Sequence, residues 1–361
     1  GAISRRLYFF RARPWSVKWL AVEDALLDLM DDGSFRDAAR RLFDELGYVA
    51  CYEGRLRSSN AITRASAIDK LGRMRSAASV GRLLGMLDSG SAETTAVTIR
   101  ALSRIGSFDA LEGILKRLPG IVDRSLATQK TITAFLINFG PPAVPLLMEL
   151  AESQRDPAIS AIVLEVLSQL RSRKALPLAV KGLDDESPEV RAKALKLLGR
   201  TVPEESDLDW KRVREMLDDK VWFVRLHAAR AVGSKKYEEA VPNLVKLLAD
   251  DSWRVRNAAA TALTNMGDTA LDAFLEVLRS DDPYVKGSVC EEIQKTSYVS
   301  RLIRNLDDGE ERNARKKSRE ILQTMCEMNF RSPFHLYLER GESEELKTKI
   351  REILAAPQEA P

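Results

Sequence analysis

A single frame of helical spacing recurs ten times along this chain, and it leaves little choice of fold. Glu-Val-Arg-Ala-Lys-Ala-Leu-Lys-Leu-Leu-Gly at 189–199 aligns position for position with Phe-Val-Arg-Leu-His-Ala-Ala-Arg-Ala-Val-Gly at 223–233. With the valine as position zero, the frame starts at Phe35, Thr63, Thr94, Thr128, Ile159, Val190, Val224, Val255, Val285 and Ala314, at intervals of 28, 31, 34, 31, 31, 34, 31, 30 and 29 residues. Position eight is apolar in every copy: Phe43, Leu71, Leu102, Leu136, Leu167, Leu198, Val232, Leu263, Ile293 and Leu322. Position four is small or apolar in eight copies, among them Ala39, Ala67, Ala194, Ala228 and Ala259, and Thr98 and Ser318 are at least small. Positions zero, four, seven, eight and eleven lie on one face of a 3.6-residue helix, a spacing that strands cannot follow.

A second apolar stripe lies between frames, clearest in Leu244, Val245, Leu247 and Leu248 of 237–249 and in Leu271, Phe274, Leu275 and Leu278 of 269–280. Each unit therefore reads as a helical hairpin. Gly47, Gly72, Gly106, Gly140, Gly199, Gly233 and Gly267 stand near the frame's end, where a left-handed residue stops a helix at little cost. Pro145, Pro177 and Pro242 follow near the start of the next helix, where a missing N–H is tolerated. A lone hairpin of this size exposes its apolar face, and stacking on neighbours buries it, so stability is cooperative along one dimension.

The totals agree with one repetitive body. Of 361 residues, 45% are hydrophobic and 30% charged, which excludes wholesale disorder. Lys plus Arg number 56 against 53 for Asp plus Glu, so no whole-molecule field marks a nucleic-acid binder. Cys51, Cys290 and Cys326 are odd in number and far apart, against a disulfide framework and for a reducing compartment. The longest apolar stretches, 132–139 and 143–148, are split by Gly140, Pro141 and Pro142 and fall short of the ~20 residues that span a bilayer.

The run Asp250-Asp251-Ser252-Trp253-Arg254-Val255-Arg256-Asn257-Ala258-Ala259-Ala260-Thr261-Ala262-Leu263, closing at Gly267-Asp268, resembles a HEAT repeat, and more narrowly the short bacterial HEAT-like units also found in phycobilin lyases. The resemblance covers roughly residues 20–330. It implies an all-α fold, a right-handed α-α superhelix or α-solenoid of about ten HEAT-like helical hairpins. It also implies inter-repeat pairs between Arg36, Arg64, Arg191, Arg225, Arg256 or Arg315 and turn acids that include Asp88, Asp185, Asp219, Asp251 and Asp308. Thr95, Gln129 and Ser160 replace the arginine in three consecutive repeats, which interrupts that ladder from about 94 to 170.

The expected organisation is a basic and aromatic segment at 1–19, a repeat body at 20–330, and a C-terminal cap helix with a disordered tail at 331–361. The opening Gly1-Ala2 is read as an expression scar on a fragment that has lost its natural N-terminus. Arg5, Arg6, Arg11, Arg13 and Lys18 interleave with Tyr8, Phe9, Phe10, Trp15 and Trp19, without an acid. Two readings stay open: these residues follow a transmembrane helix on the cytoplasmic side, where each cation near anionic lipid contributes about 1 kcal/mol, or the aromatics cap the first repeat's core.

Frame helices are expected to line a concave face. Its solvent-facing positions carry Arg73, Arg100, Arg104, Lys196, Arg200 and Arg230 among Asp69, Glu165, Gln169, Asn257, Thr261 and Asn265, and an acidic protein segment suits that surface. Trp210, Trp222 and Trp253 recur in successive repeats, and HEAT-like alkylpurine DNA glycosylases work with aromatics and a carboxylate in a basic groove. Trp222 and Trp253, however, precede the frame helix at a position expected to pack between repeats. His227 and His335 show no metal-ligand spacing, no phosphate loop is present, and acid pairs such as Asp184-Asp185, Asp218-Asp219, Asp250-Asp251 and Asp281-Asp282 recur at one structural turn. The expectation is a non-catalytic scaffold without cofactor or metal, the cytoplasmic part of a membrane-anchored bacterial protein. The alternatives are a nucleic-acid-binding solenoid and, on repeat similarity alone, a tetrapyrrole lyase or chaperone.

Overall fold

A computed structural model describes residues 12–32, 34–89, 91–202, 210–296, 298–307 and 311–355. Among these residues there are helices and no strand. The chain divides into two compact units, Gly1–Ala175 and Leu176–Pro361.

The first unit holds α1 (Val17–Asp31), α2 (Arg36–Glu45), α3 (Tyr48–Arg55), α4 (Ala61–Arg73), α5 (Val80–Ser89), α6 (Ala92–Ile105), α7 (Phe108–Asp123), α8 (Gln129–Leu136), α9 (Val144–Ser153) and α10 (Pro157–Gln169). The second holds α11 (Leu176–Gly182), α12 (Pro188–Thr201), α13 (Trp210–Glu215), α14 (Trp222–Ser234), α15 (Val241–Leu247), α16 (Trp253–Met266), α17 (Leu271–Leu278), α18 (Pro283–Lys295), α19 (Tyr298–Arg304), α20 (Arg312–Glu327), α21 (Ser332–Arg340) and α22 (Glu344–Ala355).

The ten frames fall on the ten helices α2, α4, and so on to α20. Position zero is the third residue of the helix in eight of them and the N-cap at Phe35 and Thr128. All ten position-eight anchors are 0% exposed, so the register read from spacing is the register of the core. In the first unit α4, α6, α8 and α10 pack in sequence, and in the second α12, α14, α16 and α18 do the same. The order changes at α20, which lies on α17 and α19 instead. Arg279 donates two hydrogen bonds to Glu320 (2.6 and 2.8 Å) and Lys317 pairs with Asp272 at 2.7 Å, fastening α20 to α17. α22 closes this end with Ile350 and Ile353 buried.

Several inter-frame helices are entered through a short 3-10 turn: Pro141–Ala143 precedes α9, Glu238–Ala240 precedes α15 and Gly267–Ala270 precedes α17. Pro145 and Pro242 sit in the first turns of α9 and α15, where no intrahelical N–H is lost. The apolar stretches 129–139 and 141–153 meet at 109°, and among the described residues no single helix is long and apolar enough to cross a membrane.

The glycines divide into two kinds, which corrects the expectation that all seven stop helices. Gly47, Gly106, Gly140 and Gly267 have positive φ. Gly72, Gly199 and Gly233 lie inside α4, α12 and α14 at frame position nine. A Cβ at Gly72 would meet the Cα of Ala101 at 2.6 Å, one at Gly199 the Cα of Ala231 at 3.0 Å, and one at Gly233 the Cβ of Ala262 at 2.5 Å. Each partner alanine is position seven of the next frame, so a bare Cα meets a methyl and the two helices close together.

The inter-repeat ion pairs are also more specific than the resemblance implies. Arg191 donates to Asp219 (2.8 and 3.0 Å) and to the Asp185 carbonyl (2.9 Å). Arg225 donates to Asp250 (2.7 and 3.1 Å) and to the Asp219 carbonyl (2.8 Å). The acceptor is thus the acid five residues before the next frame, Asp250 and not Asp251. Arg256 would need that acid at 280, where the chain has serine, and it donates to the Tyr284 hydroxyl at 2.6 Å. Asp88 takes two bonds from Arg117 (2.7 and 3.0 Å) on α7, whereas Arg64 turns back to the Ser58 carbonyl. Asp308 lies outside the described residues.

Asp268 accepts from Arg301 (2.9 and 2.7 Å) and from Asn305 (3.0 Å), and these donors hold its carboxyl below the usual carboxylate range. Arg117 does the same for Asp88. A carboxyl depressed in the folded state contributes stability above its unfolded pKa and loses it as pH falls through the folded value. The urea midpoint is therefore expected to fall between neutral pH and about pH 3. Asp268→Asn should lower the midpoint at neutral pH and flatten this dependence, which urea titrations at the two pH values measure.

Candidate functional site

The solvent-facing cations of the first unit converge at one place. Asp69 on α4 meets Arg104 at 2.8 Å and Arg100 at 3.3 Å from α6, so one carboxylate is shared between two guanidiniums. Arg73 and Arg104, in the last turns of α4 and α6, line a cavity of about 240 Å³ with Leu27, Met30, Asp31, Gly72 and Arg75. Arg75 follows α4 with φ 50°, a left-handed turn that aims it at the same space. Its pKa is lowered by burial and by the neighbouring charge of Arg36, with Asp31 acting in the opposite sense. Arg36 itself donates to the Met30 carbonyl at 3.1 Å.

Arg36, Arg73, Arg75, Arg100 and Arg104 are thus gathered around Asp31 and Asp69. The C-terminal ends of α1, α4 and α6 add about half a negative charge each at most, and positive charge remains in excess. Spacing along the frame identified Arg73, Arg100 and Arg104. It assigned Arg36 to the inter-repeat ladder and missed Arg75, because a left-handed turn after a helix leaves no periodic mark at a non-glycine residue. In the second unit Arg200 and Arg230 are exposed and Lys196 is half-buried, on the neighbouring helices α12 and α14.

Of the basic and aromatic N-terminal residues, Arg5, Arg6 and Arg11 lie outside the described residues. Arg13 and Lys18 are exposed. Trp15 packs edge-on against Tyr52 and carries the Arg55 guanidinium over its face. Trp19 is 3% exposed, stacked 3.8 Å from Tyr48, whose hydroxyl donates to the Trp19 carbonyl at 2.8 Å. Trp19 therefore covers the core and is not presented to a membrane surface. Below it, buried Glu23 accepts from the Tyr52 hydroxyl (2.7 Å) and pairs with Lys70 (3.2 Å), tying α1 to α3 and α4.

The three tryptophans of the second unit separate. Trp210 is nearly buried and faces Tyr237. Trp222 and Trp253, expected between repeats, are 38% and 61% exposed at the first turns of α14 and α16. The three do not line one groove.

The reactive inventory is sparse. Burial pushes the Cys290 thiol up to about 12 and the Cys326 thiol up to about 11, which withholds the nucleophilic thiolate at neutral pH. Among the described residues no group of three or more His, Cys, Asp or Glu side chains is placed to hold a metal ion. His227 is half-buried on α14 and His335 is exposed on α21.

The family profile described as HEAT repeats matches residues 119–199, 144–219 and 211–294. No curated protein matches the sequence. Among solved structures, a mutant of Kap121p superposes with a TM-score of 0.52 at 13% identity, over 95% of this chain and 46% of its own. Kap121p bound to RanGTP gives 0.50 at 12% identity, over 94% and 50%. The chain spans about half the length of the Kap121p chains it matches. At these identities the likeness is one of fold. Residues 119–294 of this chain are therefore HEAT repeats, with frame helices packed on buried anchors, and the fold is that of a HEAT-repeat solenoid.

Proposed function

We propose that the chain is a non-catalytic protein-binding scaffold whose first unit receives an acidic protein segment on the ends of α4 and α6. The observation that carries this reading is the excess of guanidinium charge around the cavity of Arg73, Arg75 and Arg104, with Asp69 already shared between Arg100 and Arg104. Like charges gathered at a helical-repeat surface repel one another, and an incoming carboxylate relieves that repulsion while gaining bidentate hydrogen bonds. Kap121p, similar in fold, takes a protein partner in its RanGTP complex, which supports a scaffold role for this architecture.

The test is titration of a labelled oligoglutamate into the protein at low ionic strength. Saturable binding is expected, weakened by salt and reduced about tenfold or more by combining Arg73→Glu with Arg104→Glu. Absence of binding, or equal binding by a variant with an unchanged circular dichroism spectrum, would contradict the proposal.

A membrane role for the N-terminal segment has narrower support. Arg13 and Lys18 are exposed, but Trp19 is committed to the core. Flotation with anionic vesicles should be lost on Arg13→Glu with Lys18→Glu if this face meets a membrane, and unchanged flotation would sink that role.

A further inference from the structure

An exposed aromatic ridge runs along one side of the second unit. Trp222, Trp253 and Tyr284 stand in the first turns of α14, α16 and α18, and are 38%, 61% and 66% exposed. Arginines set between them fix the rings. The Arg254 guanidinium carbon lies 5.4 Å from the Trp222 ring centroid and 5.3 Å from that of Trp253. Arg256 lies 5.2 Å from the Tyr284 ring and donates to its hydroxyl at 2.6 Å. A ladder of this kind orders three large rings in water, where burial against neighbours would be the ordinary fate of such side chains.

Beyond Trp253 the ridge opens into a cleft of about 610 Å³, floored by Gly287 and Ser288 and walled by Tyr284 and Phe330. We propose that this ridge and cleft dock a proline-rich segment of a partner protein in the polyproline II conformation.

Three physical features select that occupant. Helices packed side by side stand about 8–10 Å apart. A polyproline II turn of three residues advances about 9 Å, so every third residue meets the next ring. The polyproline backbone carries unpaired carbonyls, and Arg254 makes no hydrogen bond or ion pair among the described residues, which leaves its N–H groups as donors between the two indoles. Finally, rings interleaved with arginine repel a basic peptide. Stacked bases repeat at about 3.4 Å, out of step with the ridge.

This surface is separate from the arginine cluster of the first unit and stands or falls independently of it. The experiment titrates fluorescein-labelled decaproline into the whole protein, with labelled oligothymidylate as comparator. Decaproline is expected to bind saturably and to shift the intrinsic tryptophan fluorescence. Trp222→Ala combined with Trp253→Ala should weaken binding about tenfold or more, Tyr284→Ala should weaken it as well, and Phe108→Ala, an exposed aromatic of the first unit, should leave it unchanged. The fluorescence shift in the unmutated protein serves as a readout that requires no variant to fold. No binding, equal binding by the double variant, or tighter binding of oligothymidylate would overturn the proposal.

Discussion

Replacing Gly233 with valine is expected to destabilise the second unit by about 3 kcal/mol, measured as a fall in the urea midpoint. A Cβ at this position would stand 2.5 Å from the Cβ and 2.6 Å from the Cα of Ala262. The obstructing atoms belong to the backbone and first side-chain carbon of α16, so no rotamer change relieves the overlap, and the two helices must separate. Separation exposes anchors such as Val232 and Leu263, both fully buried. Gly72, which meets Ala101 in the same way, should respond similarly in the first unit. Gly85→Ala supplies the contrast. It lies on exposed α5 surface with nothing within 4 Å of a built Cβ, and the substitution should stabilise by about 0.5–1 kcal/mol.

The second large effect is expected at Asp250. Its carboxylate receives both guanidinium bonds of Arg225 and also accepts from the Ser252 N–H at 2.9 Å, with the acid 5% and the arginine 17% exposed. A guanidinium stays protonated at neutral pH without any partner, so the cation persists when Asp250 is removed. Asp250→Ala leaves a half-buried charge uncompensated and should cost about 3 kcal/mol. Asp251→Ala, one residue on and exposed, should stay within about 0.5 kcal/mol. A double-mutant cycle with Arg225→Met should show the two losses to be strongly non-additive.

These two sites mark where reading the sequence succeeds and where it stops. The frame was legible because burial of one helix face imposes a 3.6-residue period on side chains, and all ten position-eight residues are fully buried. Gly72, Gly199 and Gly233 carry no such period of their own. A glycine closing a helix and a glycine admitting a neighbouring helix look alike in sequence, and only the packing of α4, α12 and α14 separates them. Asp250 and Asp251 are adjacent and chemically identical, so their roles depend on which carboxylate the turn aims at Arg225. The ridge was hidden for a related reason. Trp222 and Trp253 precede position zero by two residues, outside the buried face, and the guanidinium of Arg254 between them substitutes for a protein interior. At the arginine cluster the frame named Arg73, Arg100 and Arg104, while Arg75 needed a left-handed turn to be brought beside them.

The central claim is that from α4 to α10 in the first unit, and from α12 to α18 in the second, neighbouring frame helices hold one another, so a wedge at one contact loosens both partners. Native-state hydrogen exchange on Gly233→Val, followed by mass spectrometry, tests it directly. The expected result is a joint loss of protection in α14 and α16, with α4 and α6 retaining theirs. Loss confined to α14, or spread evenly through the chain, would contradict the account.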